Sequence, residues 1–151
     1  YPIIVKRTPI DSFISLELLY YNNKKIISNP VCQNYDTSGM TLELSSKHFI
    51  NYYYYNLKYF KYLKNLFNEN NIPYIILDYD NDLNQHYEYA MKTIQRKIKN
   101  TFKIYLLYND VNIYLQKQNN IEYKKQVLNW DQFVNELKDL DFYENLWNYD
   151  F

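Results

Sequence analysis

Small residues are almost absent from this chain of 151 residues, which holds one glycine, Gly39, and one alanine, Ala90. A single glycine excludes the Gly-rich loops that cradle phosphates in nucleotide-binding proteins. Turns that need positive φ must then use Asn or Asp. Cys32 is the only cysteine, so neither an internal disulfide nor a Cys-rich zinc site can form. Arginine occurs twice, as Arg7 and Arg96, and the formal charge is zero, 17 Lys and Arg against 17 Asp and Glu. Overall neutrality supplies no general drive toward nucleic acid or an anionic membrane. No apolar run approaches the roughly 18 residues of a transmembrane helix. Residue 1 is Tyr rather than Met, so a processed or preceding leader remains open.

What fills the chain instead is Tyr (20), Asn (21), Lys (15) and Ile (15). These residues have AT-rich codons, and the scarce ones have GC-rich codons, which reads as an AT-rich coding genome. A run such as Tyr52-Tyr-Tyr-Tyr55 therefore carries a codon contribution as well as a structural one. The apolar fraction is 47% and the aromatic fraction 20%, enough for a core and too much for disorder, although mean hydropathy is −0.60. Each buried Tyr needs a partner for its hydroxyl, and twenty cannot all be core. Part of this aromatic surface is expected to lie against a partner, where Tyr is enriched.

Residues 1–39 hold three of the four prolines (Pro2, Pro9, Pro30) and the glycine, and read as an N-terminal extension. Within it, Phe13-Ile-Ser-Leu-Glu-Leu-Leu-Tyr20 and Lys25-Ile-Ile27 flank Tyr21-Asn22-Asn23-Lys24, a strand–turn–strand pattern. A short helix from Asp11, capped by Asp11 or Ser12, is the alternative. From Met40 the pattern is more regular. Met40-Thr-Leu-Glu-Leu44 alternates as a strand does. Ser45 or Ser46 can cap a long helix whose Phe49, Tyr53, Leu57, Phe60, Leu63 and Phe67 share one face. Tyr74-Ile-Ile-Leu77 reads as a strand buried on both faces. Residues 83–98 show helical spacing again. Residues 102–108 and 111–115 are β-rich and joined by Asn109-Asp110. Asn129 or Asp131 can cap a last helix bearing Phe133, Val134, Leu137 and Leu140. The tail from 141 to 151 is aromatic. The order from residue 40 to 140 is β-α-β-α-β-β-α, that of an α/β domain with a thioredoxin-like core, and a helix between two strands favours a parallel β-α-β unit.

Within that order, Leu42-Glu-Leu-Ser45-Ser46-Lys47, Asn68-Glu-Asn-Asn-Ile-Pro-Tyr74, Tyr105-Leu-Leu-Tyr108-Asn109 with Ile113-Tyr-Leu115, and Val127-Leu-Asn-Trp130 stand out. In these segments the chain resembles the non-catalytic thioredoxin-like family that includes large-subunit protein 51 and small-subunit protein 25 of the mitochondrial ribosome and the B8 subunit of respiratory complex I. It departs from the family where Lys47 replaces an Arg, where Asp110 takes a Gly position, and in the additional helix at 83–99. That family lacks a redox cysteine pair, as this chain does. Tyr74-Ile-Ile-Leu77 and the segment Glu88 to Ile98 also resemble the later strand and helix of small-subunit ribosomal protein 10, without its Pro-rich loop and His-containing turn. The resemblance implies a non-enzymatic structural subunit of a large mitochondrial assembly, in the first place the ribosome. Such a subunit would act through other protein subunits and rRNA and need no cofactor. An accessory subunit of a respiratory complex is the second reading, which neutrality fits better than rRNA contact.

Several side chains invite chemistry. Asp78-Tyr79-Asp80-Asn81-Asp82 follows a strand, where α/β proteins place functional carboxylates. Asp78 and Asp80 could hold Mg²⁺ as in a metal-dependent hydrolase. The pattern resembles the first motif of haloacid-dehalogenase-type phosphatases but has Asp82 where that motif has Thr or Val. A calcium loop would want a glycine here and a Glu at Tyr89. The competing reading is an acidic turn favouring the start of the next helix. Cys32 lies in a loop with nothing nearby to lower its pKa. His48 and His86 sit at helix starts without ligand spacing, and a Ser46–His48–Asp arrangement rests only on residue types. The partner-binding candidates are Lys58, Tyr59, Lys61 and Tyr62, whose basic and aromatic interleaving suits RNA, and Phe142, Tyr143, Trp147 and Tyr149 of the tail. A solvated face and a core role, respectively, are the alternatives.

Overall fold

The computed structural model describes residues 1–22, 41–105 and 123–147. The expected strand at 25–27, the loop that holds Cys32, the hairpin strand at 111–115 and Tyr149 lie outside them. Among the described residues the fold is mixed α/β and mostly helical, with one two-stranded parallel sheet. Its strands are β1 (Ile3–Lys6) and β2 (Ile75–Asp78). The helices are α1 (Pro9–Asn22), α2 (Ser46–Glu69), α3 (Tyr87–Phe102), α4 (Tyr123–Gln126) and α5 (Trp130–Leu137). A π-helical turn, Tyr79–Leu83, follows β2, and a 3₁₀ turn spans Tyr143–Trp147. The described residues group into two units, one of 1–7 with 56–105, the other of 8–22, 41–55 and 123–147.

In the first unit, Ile3, Ile4 and Val5 are β-branched and suit a strand. Their register pairs Ile3 with Ile75, Ile4 with Ile76, Val5 with Leu77 and Lys6 with Asp78. Pro2 has no N–H to lose at the strand start, and its carbonyl accepts from the Ile75 N–H at 3.2 Å. The parallel partner of β2 is therefore β1 and not the expected strand at 40–44. Ile4, Ile75, Leu77, Ala90 and Thr93 are buried here. Helix α2 is followed by a turn in which Asn71 takes φ 51° and the Ile72 N–H donates to the Phe67 carbonyl at 2.8 Å. With no glycine available, Asn supplies the left-handed stop, and Pro73 follows it. Helix α3 ends the same way at Lys103, φ 59°, whose N–H donates to the Lys99 carbonyl at 3.0 Å. Phe102 thus closes a helix and does not open the expected strand, whose residues beyond 105 lie outside the described part.

In the second unit, residues 13–20 are helical, which corrects the hairpin and favours the alternative. Ile10, Phe13, Ile14 and Leu18 are buried together. Adjacent Phe13 and Ile14 can share a helical stripe but would point to opposite faces of a strand. The cap is Thr8 rather than Asp11 or Ser12: its Oγ1 accepts from the Asp11 N–H at 3.4 Å, its carbonyl from the Ser12 N–H at 3.0 Å. Pro9, lacking an N–H, fits the first helical position. Ser45 Oγ caps α2 by accepting from the His48 N–H at 3.3 Å. The expected strand at 40–44 is reduced to one parallel bridge, Leu42 with Val127. Beyond it a side chain replaces the partner strand. The Leu44 N–H donates to Asn129 Oδ1 at 2.9 Å, and Asn129 Nδ2 donates to the Leu44 carbonyl at 2.8 Å. Around these elements stands an aromatic core. Phe49 meets Phe13 and Phe133 edge-on at 5.2 and 5.7 Å, and Phe142 stacks on Tyr53 at 4.2 Å and 14°.

Candidate functional site

The acidic segment after β2 is built around its own backbone. Asp78 keeps an extended conformation at the end of β2, and its Oδ1 accepts from the N–H groups of Asp80 and Asn81 at 3.0 and 2.9 Å. Asp82 folds back so that Oδ2 accepts from the Asp78 N–H at 2.7 Å and from Lys97 Nζ of α3. Lys97 Nζ also donates to the Ile76 carbonyl at 2.9 Å. Gln85 Nε2 donates to the Asp80 carbonyl at 2.7 Å, and the Arg7 guanidinium lies 4.7 Å from the Tyr79 ring centre. Burial pushes the Asp82 carboxyl up. The hydrogen bonds from Lys97 and the Asp78 N–H, with the charges of Lys97 and Arg96, outweigh it and hold the group below the usual carboxylate range. Two of the three carboxylates thus bind the protein's own donors. Among the described residues, no three or more His, Cys, Asp or Glu converge as metal ligands would.

The Asp82–Lys97 pair was not anticipated from sequence, although a signal existed. Ala90, Thr93 and Lys97 lie at spacings of three and four on α3, and the first two are buried. A lysine in the register of a buried face requires an acceptor nearby.

The hydroxyl of Ser46 does not face His48. It donates to Glu136 Oε2 at 2.5 Å, and Gln132 Nε2 donates to Glu136 Oε1 at 2.8 Å. These two bonds lower the Glu136 pKa against a smaller desolvation. The Ser46–His48–Asp arrangement is therefore not formed. His48 is exposed, as is His86, whose carbonyl starts α3 by accepting from the Tyr89 and Ala90 N–H groups at 2.9 and 3.1 Å.

The structure brings together the four α2 candidates. Lys58 and Lys61 are exposed, with Tyr59 49% and Tyr62 60% accessible beside them. Spacings of three and four place them on adjoining turns. No Asp or Glu occurs from residue 46 to 68, so this stretch carries only positive charge. The tail candidates separate. Phe142 is 4% exposed and enclosed by Phe49, Tyr53 and Tyr54, so it is core and not contact surface. Tyr143 is half-buried, and Trp147 ends the 3₁₀ turn. Tyr54 Oη, next to Phe142, donates to Asp141 Oδ1 at 3.2 Å. Partial desolvation, then the Asp141 charge and hydrogen bond, raise the Tyr54 pKa and keep it protonated.

These features define a mixed α/β protein with a small parallel sheet, an aromatic core and an exposed Lys–Tyr surface. No helix among its described residues is long and apolar enough to cross a membrane. No protein-family model, no curated protein and no solved structure matches the chain.

Proposed function

We propose that this chain is a non-enzymatic structural subunit of a large assembly, a mitochondrial ribosomal protein with a thioredoxin-like core, docking through protein and rRNA contacts. The observation that carries the proposal is the exposed cluster of Lys58, Tyr59, Lys61 and Tyr62 on α2, positive, aromatic and free of carboxylates. Tyr offers large contact area at low entropic cost, and interleaved lysines suit a phosphate backbone. What supports a thioredoxin-like core is the parallel pairing of β1 with β2 and a helix on either side of β2 in sequence; such a core takes its first strand from residues 3–6 and not from 40–44.

The test is sedimentation of the tagged full chain from its own cells. The expected result is migration with a ribosomal subunit, lost in Tyr59→Ala/Tyr62→Ala while the melting temperature holds. Migration with a respiratory complex, or at the position of the free chain, overturns the assignment.

A further inference from the structure

The neutrality of the whole chain hides a separation of charge. In the unit of residues 1–7 and 56–105, ten Lys and Arg stand against five Asp and Glu. Among the described residues of the other unit, four stand against eight. Much of the positive excess sits on α3. Its inward register holds buried Ala90 and Thr93 and the Lys97 that binds Asp82. Its outward register holds Lys92, Arg96 and Lys99, all exposed. Spacings of four and three residues keep the three cations within one narrow sector, about 4.5–6 Å apart along the axis. That is the order of separation of successive phosphates along an extended strand. Exposed tyrosines bracket the row: Tyr89, 55% accessible, one turn before Lys92, and Tyr105, 72% accessible, with Lys99 Nζ 4.7 Å from its ring centre. Opposing charges are few. Glu88 lies one turn before Lys92, and Asp82, near Arg96, is already matched by Lys97.

We propose that this outward face of α3 binds single-stranded RNA, with Lys92, Arg96 and Lys99 on successive phosphates and Tyr89 and Tyr105 offering their rings to bases. A row of cations at phosphate spacing between two open aromatic rings is complementary to a single strand, whose bases are free to stack. Neither a membrane surface nor an acidic protein would need cations at the pitch of a phosphate backbone. The face is distinct from the α2 cluster and does not depend on which assembly holds the chain, so failure to sediment with ribosomes leaves it standing.

The test is fluorescence anisotropy of the full chain with a labelled oligouridylate of about twelve nucleotides, titrated at rising NaCl. Three phosphate contacts on a single strand predict a slope of log K against log salt near about −2. Lys92→Gln/Arg96→Gln/Lys99→Gln, all at exposed positions, is expected to keep the circular dichroism spectrum, lose roughly tenfold or more in affinity and flatten the slope. Lys58→Gln/Lys61→Gln is the comparison and is expected to lose less. The proposal is overturned by no binding at low salt, by equal affinity in the triple variant, or by equal losses in both variants. Tighter binding to phosphatidylserine vesicles than to the oligonucleotide at equal anionic charge overturns it as well.

Discussion

Replacing Phe142 by alanine asks whether the aromatic tail belongs to the core. The ring is 4% exposed, lies 4.2 Å from Tyr53 in a stacked arrangement, and meets Tyr54 edge-on at 5.3 Å. An aromatic side chain contributes about 150–250 Å² of buried surface. Truncation leaves a cavity the neighbouring helices cannot fully close, and core Phe→Ala changes cost about 3–5 kcal/mol. Against a total stability of about 5–15 kcal/mol, that is a large share. Urea unfolding followed by circular dichroism should show the midpoint fall sharply. Phe142→Leu, which refills most of the volume, should lose less than about 1.5 kcal/mol. Tyr59→Ala and Tyr62→Ala, on the open face of α2, should stay within about 0.5 kcal/mol. If Phe142→Ala also stayed within that range, the packing described for the tail would be wrong.

Asp82→Asn should cost about 1.5–3 kcal/mol at neutral pH, because Lys97 and the Asp78 N–H lose a charged acceptor. The Asp82 pKa is depressed in the folded state, so its stabilisation exists above the unfolded carboxylate value and fades as pH falls through the lower folded one; melting curves of the two proteins should converge in strong acid. Asn129→Ala removes both side-chain bonds to the Leu44 peptide and should cost about 1–3 kcal/mol in chemical denaturation, with Asn129→Asp intermediate because it keeps the acceptor. Asn71→Gly should be neutral or stabilising in a thermal melt, whereas Asn71→Val should lose at least about 1 kcal/mol at the left-handed helix stop. Millimolar Mg²⁺ should leave the melting temperature unchanged, since Asp78 and Asp82 already hold internal donors; a rise abolished by Asp80→Asn would restore the hydrolase reading.

Much of the helical structure was legible because its cause is local. The stripe from Phe49 to Phe67 predicts α2, and capping by Ser45 agrees. The spacing of Phe133 and Leu137 predicts α5, and the Tyr74-Ile-Ile-Leu77 run predicts β2 within a residue. The N-terminal helix was ambiguous, because Phe13 to Tyr20 is rich enough in large apolar residues to suit either period. What separates the two is the joint burial of Phe13 and Ile14, a property of packing. The Lys58–Tyr62 cluster was legible because a periodic helix tells its open face from its buried one. The fate of Phe142 was not, because nothing local distinguishes a ring that finds a pocket from one that does not.

Composition and periodicity by themselves determined that the chain is aromatic, almost without glycine, neutral in sum, without an internal disulfide, and that it carries the long helix α2, the strand β2 and the helix α5. Its left-handed helix ends consequently fall on Asn71 and Lys103, since no glycine stands near either. Only the tertiary structure decided which strand pairs with β2. Parallel pairing joins Ile3 to Ile75 across a long stretch of chain, and no local pattern encodes a partner so distant. Tertiary structure likewise put the Asn129 amide where a partner strand would have been and matched Lys97 to Asp82. In each case a backbone or charged group removed from water must find an acceptor or donor, and which group answers depends on what folding brings near.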